Sequence, residues 1–195
     1  MKTGANSGHQ NHNDLDAGDF VIDAMGIRWA GELGSGDYLA PGYFVGDKQD
    51  DQRWMYYRTM TEGQNTLLIN KKPARLWPTQ DHQARKGWCK AVAWYDCLRP
   101  SFGTSTLSLD GKELKVVLRL PSSVTWTQSE AKRMNGNVTP PAPDQENPGV
   151  TVLIAEVPQG VQTVEVVFNP SWGDDLELRN PPSVSLDSWG LETHD

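Results

Sequence analysis

The sequence carries, near its start, an unusual density of side chains that transfer protons or bind metals. They lie within residues 7–26: His9, His12, Asp14, Asp16, Asp19 and Asp23. His12, Asp14 and Asp16 are spaced two apart, so on an extended strand all three would project from one face. Such a face can orient an imidazole with a carboxylate, or form part of a metal site. A turn rich in Asn and Asp before a strand contains the same residues for purely conformational reasons, and this alternative stays open.

Short apolar runs between turn residues predict β-strands as the elements that position these groups. Residues 19–24 and 27–33 predict two strands joined by a tight turn at Met25-Gly26. "TLSLDGKELKVVLRL" alternates apolar and polar residues on both sides of Asp110-Gly111, which predicts a hairpin. We also expect strands in "RWMYYRTM" and "QNTLLIN", and a strand pair formed by "GVTVLIAEV" and "VQTVEVVFNP".

The composition predicts one all-β domain, mainly antiparallel, over residues 1–195. Eighteen Gly, thirteen Pro and many Val, Thr and Trp residues favour short strands and turns over helices. Residues 71–103 are the exception, because they show no sustained period and are expected to be irregular. Cys89 and Cys97 alone are too few for a disulfide framework.

The charge distribution limits the classes of partner. A formal net charge of −7 disfavours a general nucleic-acid binder, which needs a basic face. A local basic surface around Arg53, Arg58, Lys71, Lys72 and Arg75 would suit an anionic ligand, although a solvated face explains the same residues. "MKTGANSGHQ" lacks the apolar core of a signal peptide, and no apolar run approaches the roughly 20 residues that cross a bilayer.

Three segments, read in order, resemble a known family. "NHNDLDAGDFVIDAMGIRWAGELG", "DYLAPGYF" and "RWMYYRTMTEGQNTLLIN" are similar to the C-terminal domain of the heparinase II/III-like polysaccharide lyases, from Asn6 to about Asn70. The resemblance implies an antiparallel β-sandwich that packs against a preceding (α/α) toroid. The toroid is absent from this sequence and the middle of the sandwich looks shortened, so we expect an incomplete sandwich.

The resemblance also implies a reaction. The family's enzymes cleave acidic polysaccharides by β-elimination: a base removes the C5 proton of a uronic acid and an acid protonates the leaving oxygen. The sandwich contributes a His and a Tyr, which correspond here to His12 and to Tyr43 in "PGYF". A loop aromatic packed on the sheet is the alternative interpretation of Tyr43.

The resemblance also implies a zinc site, but this sequence does not carry the family's zinc-binding residues. The family's zinc positions correspond to Asp14, Glu32 and Gln64, where carboxylate and amide oxygens replace two imidazoles. Zinc prefers imidazole, whereas hard oxygen donors suit calcium or magnesium. We therefore expect these three residues to lie near one another as a hydrogen-bonded cluster without metal, with zinc or calcium as alternatives.

These implications lead to two functional hypotheses. In the first, the chain is the C-terminal domain of a lyase that acts on an acidic polysaccharide and is inactive without the toroid. In the second, it is a non-catalytic carbohydrate-interaction module, or a fragment of a lyase-like protein. Export is implied only by the resemblance, since the family acts on extracellular polymers.

Overall fold

The computed structural model describes residues 12–46, 51–69, 87–93, 97–100, 103–134, 138–158, 160–161 and 163–172. Ten strands and two short 3₁₀ helices, Gln52–Met55 and Thr61–Gly63, make up its regular structure in these ranges. The strands are β1 Ile22–Ala24, β2 Ile27–Ala30, β3 Leu67–Ile69, β4 Gly87–Ala93, β5 Cys97–Pro100, β6 Thr104–Leu109, β7 Lys112–Leu120, β8 Trp126–Glu130, β9 Thr151–Val157 and β10 Glu165–Pro170. Within the same ranges, no helix is long and apolar enough to cross a membrane.

In the part of the chain that the structure describes, two four-stranded sheets and one hairpin form the architecture. The first sheet, here called the β7 sheet, has the order β10-β7-β6-β5, and the second, the β9 sheet, has the order β3-β4-β9-β8. Strands β1 and β2 form a separate two-stranded hairpin. Every pairing is antiparallel. The predicted all-β, antiparallel fold is therefore confirmed.

The core lies between the two sheets. In β7, Leu114, Val116 and Leu118 are buried while Glu113 and Lys115 are exposed, as the period of two in the sequence requires. Buried residues of both sheets and of β2 form one cluster: Ile27, Trp29, Leu107, Leu114, Val116, Leu118, Val124, Trp126, Leu153 and Ala155. Burial of each large apolar side chain contributes roughly 1.5–3 kcal/mol, so this cluster is the main source of sheet-to-sheet cohesion.

The two predicted tight turns are present. Asp110 and Gly111 have φ values of 50° and 71°, and Met25 and Gly26 have φ values of 56° and 74°. Two consecutive residues with positive φ give a two-residue hairpin turn whose twist matches that of the flanking strands. The two turns lie close together, because Lys112 Nζ donates a hydrogen bond to the Met25 carbonyl oxygen (2.6 Å).

Two predicted strand assignments are wrong. "RWMYYRTM" begins with the 3₁₀ helix Gln52–Met55, and Thr59 Oγ1 donates to the Arg53 carbonyl oxygen (2.6 Å), which folds the segment back on itself. The predicted pair of β9 and β10 is not formed, since β9 pairs with β4 and β8 while β10 pairs with β7. Strand β9 has a neighbour on each side and has no free edge for β10.

The expected irregularity of residues 71–103 is wrong where the structure describes them. Residues 87–93 and 97–100 are strands β4 and β5, and β4 lies between β3 and β9. These strands are stabilised by hydrogen bonds to neighbouring strands, so they form even though their sequence shows no alternation of apolar and polar residues. The rest of 71–103, apart from Gly103, lies outside the described residues, and whether the sandwich lacks strands stays a prediction.

Candidate functional site

The segment that carries His12 is held by the segment 51–66, with which it forms hydrogen bonds at several points. Leu15 N donates to the Thr59 carbonyl oxygen (2.7 Å), and Thr66 Oγ1 donates to the Ala17 carbonyl oxygen (2.8 Å). The buried Asn65 amide donates to the carbonyl oxygens of Phe20 (2.9 Å) and Gly31 (3.1 Å). These contacts make residues 13–20 an ordered loop that depends on 51–66 rather than a strand of its own.

Arg53 is the centre of this contact and is only 1% exposed. Its Nη2 donates to the Asn13 carbonyl oxygen at 2.8 Å, and its Nε donates to the same oxygen at 3.3 Å. Arg53 Nη2 also lies 3.4 Å from Asp14 Oδ1, which makes an ion pair. The basic residue that the sequence placed on a surface therefore lies inside the protein, directly beneath the His12 segment.

His12 belongs to an aromatic cluster, which we define as His12, Tyr38, Tyr43 and Phe44. The His12 ring centroid lies 5.5 Å from that of Phe44 and 6.2 Å from that of Tyr38. Tyr38, Tyr43 and Phe44 contact one another at centroid distances of 5.0–5.3 Å. The structure thus places the two predicted catalytic residues, His12 and Tyr43, in one cluster, joined through Tyr38 and Phe44.

The members of the cluster differ in their access to solvent. His12 is exposed, Tyr38 is 48% exposed and Phe44 is 40% exposed, whereas Tyr43 is only 2% exposed. Burial raises the pKa of the Tyr43 phenol above its usual value, and the Arg53 charge opposes this shift. Gly36 packs against the Tyr43 ring so closely that a Cβ at Gly36 would lie 2.9 Å from Tyr43 Cε2. The accessible tyrosine beside His12 is therefore Tyr38, which no sequence pattern marks as a site residue.

The three predicted metal-site residues have separate protein partners. Asp14 pairs with Arg53, Glu32 forms a hydrogen bond with Asp19, and Gln64 Nε2 donates to the Arg58 carbonyl oxygen (2.7 Å). Gln64 is buried, and Glu32 is exposed. Whether the three form a common cluster stays a prediction.

Asp16 and Asp19 are buried carboxyl groups of this region, and Asp19 has the shifted pKa. Its pKa is raised to about 6, mainly by burial; a hydrogen bond from Asn65 N (2.6 Å) opposes the shift, and the charges of Glu32 and Asp16 contribute to it. The sequence does not indicate this pKa shift, because residues 19–24 predict only a strand that begins at Asp19.

The donor set does not fit the zinc ion that the resemblance implies. No imidazole lies at the positions of Asp14, Glu32 and Gln64, and the Arg53 guanidinium beside Asp14 repels a second cation there. Among the side chains that the structure describes, no group of three or more His, Cys, Asp or Glu residues is arranged to hold a metal ion.

A groove of about 600 Å³ lies next to the aromatic cluster. One wall is the loop 35–41 and the other is residues 142–145, with Tyr43, Tyr56 and Arg58 among the residues that line it. Arg133 fixes the far wall, because its Nε and Nη2 form two hydrogen bonds with the Asp144 carboxylate (2.8 and 2.9 Å). No local sequence pattern predicts this groove, because its two walls, residues 35–41 and 142–145, are far apart in the chain.

Comparison of the sequence with models of known protein families gives no match. Comparison with curated proteins gives no match either. The resemblance of the sequence segments and the geometry around His12 are therefore the two observations that bear on the function of this chain.

Proposed function

We propose that this chain is the C-terminal β-sandwich domain of a polysaccharide lyase that cleaves uronic-acid-containing polysaccharides by β-elimination. The observation that carries the proposal is the placement of an exposed His12 in a cluster with two tyrosines, above a buried arginine. A His, a Tyr and a fixed cation are the groups that proton abstraction from a uronic acid uses.

His12 is the residue we assign to proton transfer. A neutral imidazole accepts the C5 proton, and its protonated form donates to the leaving oxygen. Tyr38 places a second, solvent-accessible aromatic ring with a hydroxyl group beside His12. Tyr43 remains a predicted catalytic residue; its side chain is 2% exposed and is among those that line the groove of about 600 Å³.

The active site is incomplete without a partner domain. The C5 proton of a uronate is weakly acidic, so its removal needs a group that neutralises the carboxylate and a pocket that orients the sugar. Catalytic groups that act as a unit lose nearly all their effect when one is missing. We therefore expect no measurable turnover from the 195-residue chain alone.

The test is the rise in ultraviolet absorbance that accompanies formation of unsaturated uronate products. Heparin, heparan sulfate and alginate are the substrates, and the chain is assayed alone and with a lyase toroid domain supplied. We expect activity only in the second case, with its loss in His12→Ala and its retention in His9→Ala, the matched histidine control. Absence of activity with every toroid and substrate, or activity that persists in His12→Ala, would refute the proposal.

A second candidate function is a non-catalytic carbohydrate-interaction module. The exposed apolar residues around His12 favour it: Tyr38, Leu39, Phe44 and Val45 are 40–92% exposed. Aromatic rings at a protein surface provide flat apolar faces with polar edges, which suit the faces of sugar rings. For this function, Phe44→Ala should abolish oligosaccharide binding measured by calorimetry, and His12→Gln should leave it nearly unchanged. The lyase proposal predicts a turnover defect in His12→Gln instead.

A further inference from the structure

We propose that Arg53 is the positioning residue of this site, which fixes His12 in the aromatic cluster through two independent sets of contacts. The catalytic meaning of this inference rests on the proposed function. The placement itself is a property of the folded chain and can be tested without any substrate.

The first set of contacts fixes the backbone next to His12. Arg53 donates through both Nε and Nη2 to the carbonyl oxygen of Asn13, and pairs with the side chain of Asp14. Two donors that converge on one oxygen define the position of that peptide group more closely than a single donor does. The Asn13 carbonyl belongs to the Asn13–Asp14 peptide group, one residue after His12, so fixing it limits the direction in which the His12 side chain leaves the backbone.

The second set of contacts fixes the rings that His12 touches. The Arg53 guanidinium carbon lies 4.3 Å from the Tyr43 ring centroid and 5.4 Å from that of Phe44. Phe44 is also the aromatic ring nearest to His12, at 5.5 Å. One guanidinium group therefore links the His12 segment, which precedes the β1–β2 hairpin in the sequence, to the loop 36–45, which follows it.

The chemistry of the site requires arginine rather than another cation. A planar guanidinium group can place donors in its plane on Asn13 and Asp14 while its face packs on an aromatic ring. A lysine ammonium group is a point charge and cannot satisfy both demands in one orientation. Burial of a cation is costly, which indicates that Arg53 serves the arrangement of its neighbours rather than overall stability.

The experiment measures the His12 imidazole resonance of the free chain by proton NMR, with His12→Gln used to assign it. The ring currents of Phe44 and Tyr38, whose planes are tilted by 55° and 51° to the imidazole, should displace this resonance from the position of a free histidine. Arg53→Lys and Arg53→Gln should both return it to the free position, and Phe44→Leu, which removes the nearest ring, should do so in large part. Leu107→Ala, a destabilising substitution in the core between the sheets, should leave the displacement intact in the folded fraction.

Folding of each variant is checked by the dispersed amide resonances of the β6–β7 hairpin, so that unfolding is not mistaken for lost positioning. Arg53→Lys keeps the positive charge and Arg53→Gln removes it; both are made so that the test still stands if one variant does not fold. A folded Arg53→Lys or Arg53→Gln variant in which the His12 resonance keeps its wild-type displacement would overturn the inference. Loss of the displacement in Leu107→Ala would overturn it as well, since general destabilisation would then explain the effect.

A second measurement separates this inference from the proposed function. With a toroid domain supplied, Arg53→Lys should lower kcat on the order of 100-fold and change KM little, which is the cost of a misplacement of about 1 Å. If no lyase activity is found but the resonance responds as expected, the positioning role stands and the lyase proposal fails. If activity is found and Arg53→Lys changes neither kcat nor the resonance, the lyase proposal stands and the positioning role fails.

Discussion

Replacement of Asp19 by asparagine should stabilise the protein at neutral pH and flatten the dependence of its stability on pH. Asp19 is 3% exposed, and burial together with the nearby carboxylates Glu32 and Asp16 raises its pKa from 3.8 to about 6. The folded state therefore binds more protons than the unfolded state between these two pH values. Stability contributed by this group is fully present below pH 3.8, falls as the pH rises, and reaches its minimum above pH 6.

The size of the effect follows from the shift in pKa. Each unit corresponds to 1.36 kcal/mol, so ionised Asp19 costs the folded state about 3 kcal/mol at neutral pH. Asparagine keeps an oxygen that accepts the hydrogen bond from Asn65 N and gains an NH₂ group that can donate to Glu32. It mimics the protonated acid and avoids the cost of ionisation.

Urea unfolding of the wild type and of Asp19→Asn between pH 4 and pH 8 measures this difference. The variant should gain about 2–3 kcal/mol relative to the wild type at pH 7.5 and little at pH 4. Asp23→Asn is the matched control: the exposed ion pair with Arg28 holds the pKa of Asp23 below its usual value, which gives a weak dependence of opposite sign. The reasoning is refuted if Asp19→Asn is less stable than the wild type at pH 7.5, or if the difference does not change with pH.

Three further substitutions test the packing that positions the site, each by urea unfolding. Gly63→Ala should cost about 2–3 kcal/mol, because its Cβ would collide with the Tyr57 carbonyl oxygen, and an unchanged midpoint would contradict this contact. Asp144→Ala should cost about 3 kcal/mol, because it leaves Arg133 and the Tyr57 amide without the carboxylate that both contact; Asp144→Asn should cost less. Leu114→Ala should cost about 2–5 kcal/mol by leaving a cavity between the sheets, whereas a loss below about 1 kcal/mol would mean that the sheets do not pack there.

The local features of the fold were predictable from the sequence because they depend on neighbouring residues. The Asp110-Gly111 and Met25-Gly26 turns have the positive φ angles that a two-residue hairpin needs, as predicted from their position between apolar runs. The alternation in β7 agrees with the burial of Leu114, Val116 and Leu118, whereas Leu120, which continues the same alternation, is exposed at the end of the strand. Each of these features is encoded within about a dozen consecutive residues.

Sheet membership was not predictable in the same way. Strands β9 and β10 are adjacent in sequence and both are rich in β-branched residues, yet they belong to different sheets. Which edge a strand joins depends on which edges are already occupied, and β4, from a segment without a recognisable period, occupies one side of β9. Strand pairing of this kind is decided by competition across the whole chain.

The candidate site shows the same division. The residue types and order around His12 and Tyr43 suggested a shared site, since the resemblance rests on local segments. The sequence placed Arg53 in a basic surface and assigned no role to Tyr38, because charge and aromaticity alone do not determine which side of a turn faces inward. Only the 3₁₀ helix Gln52–Met55 and its contact with the His12 segment turn Arg53 into the interior. There, hydrogen bonds to Asn13 and the ion pair with Asp14 offset part of the cost of burying its charge.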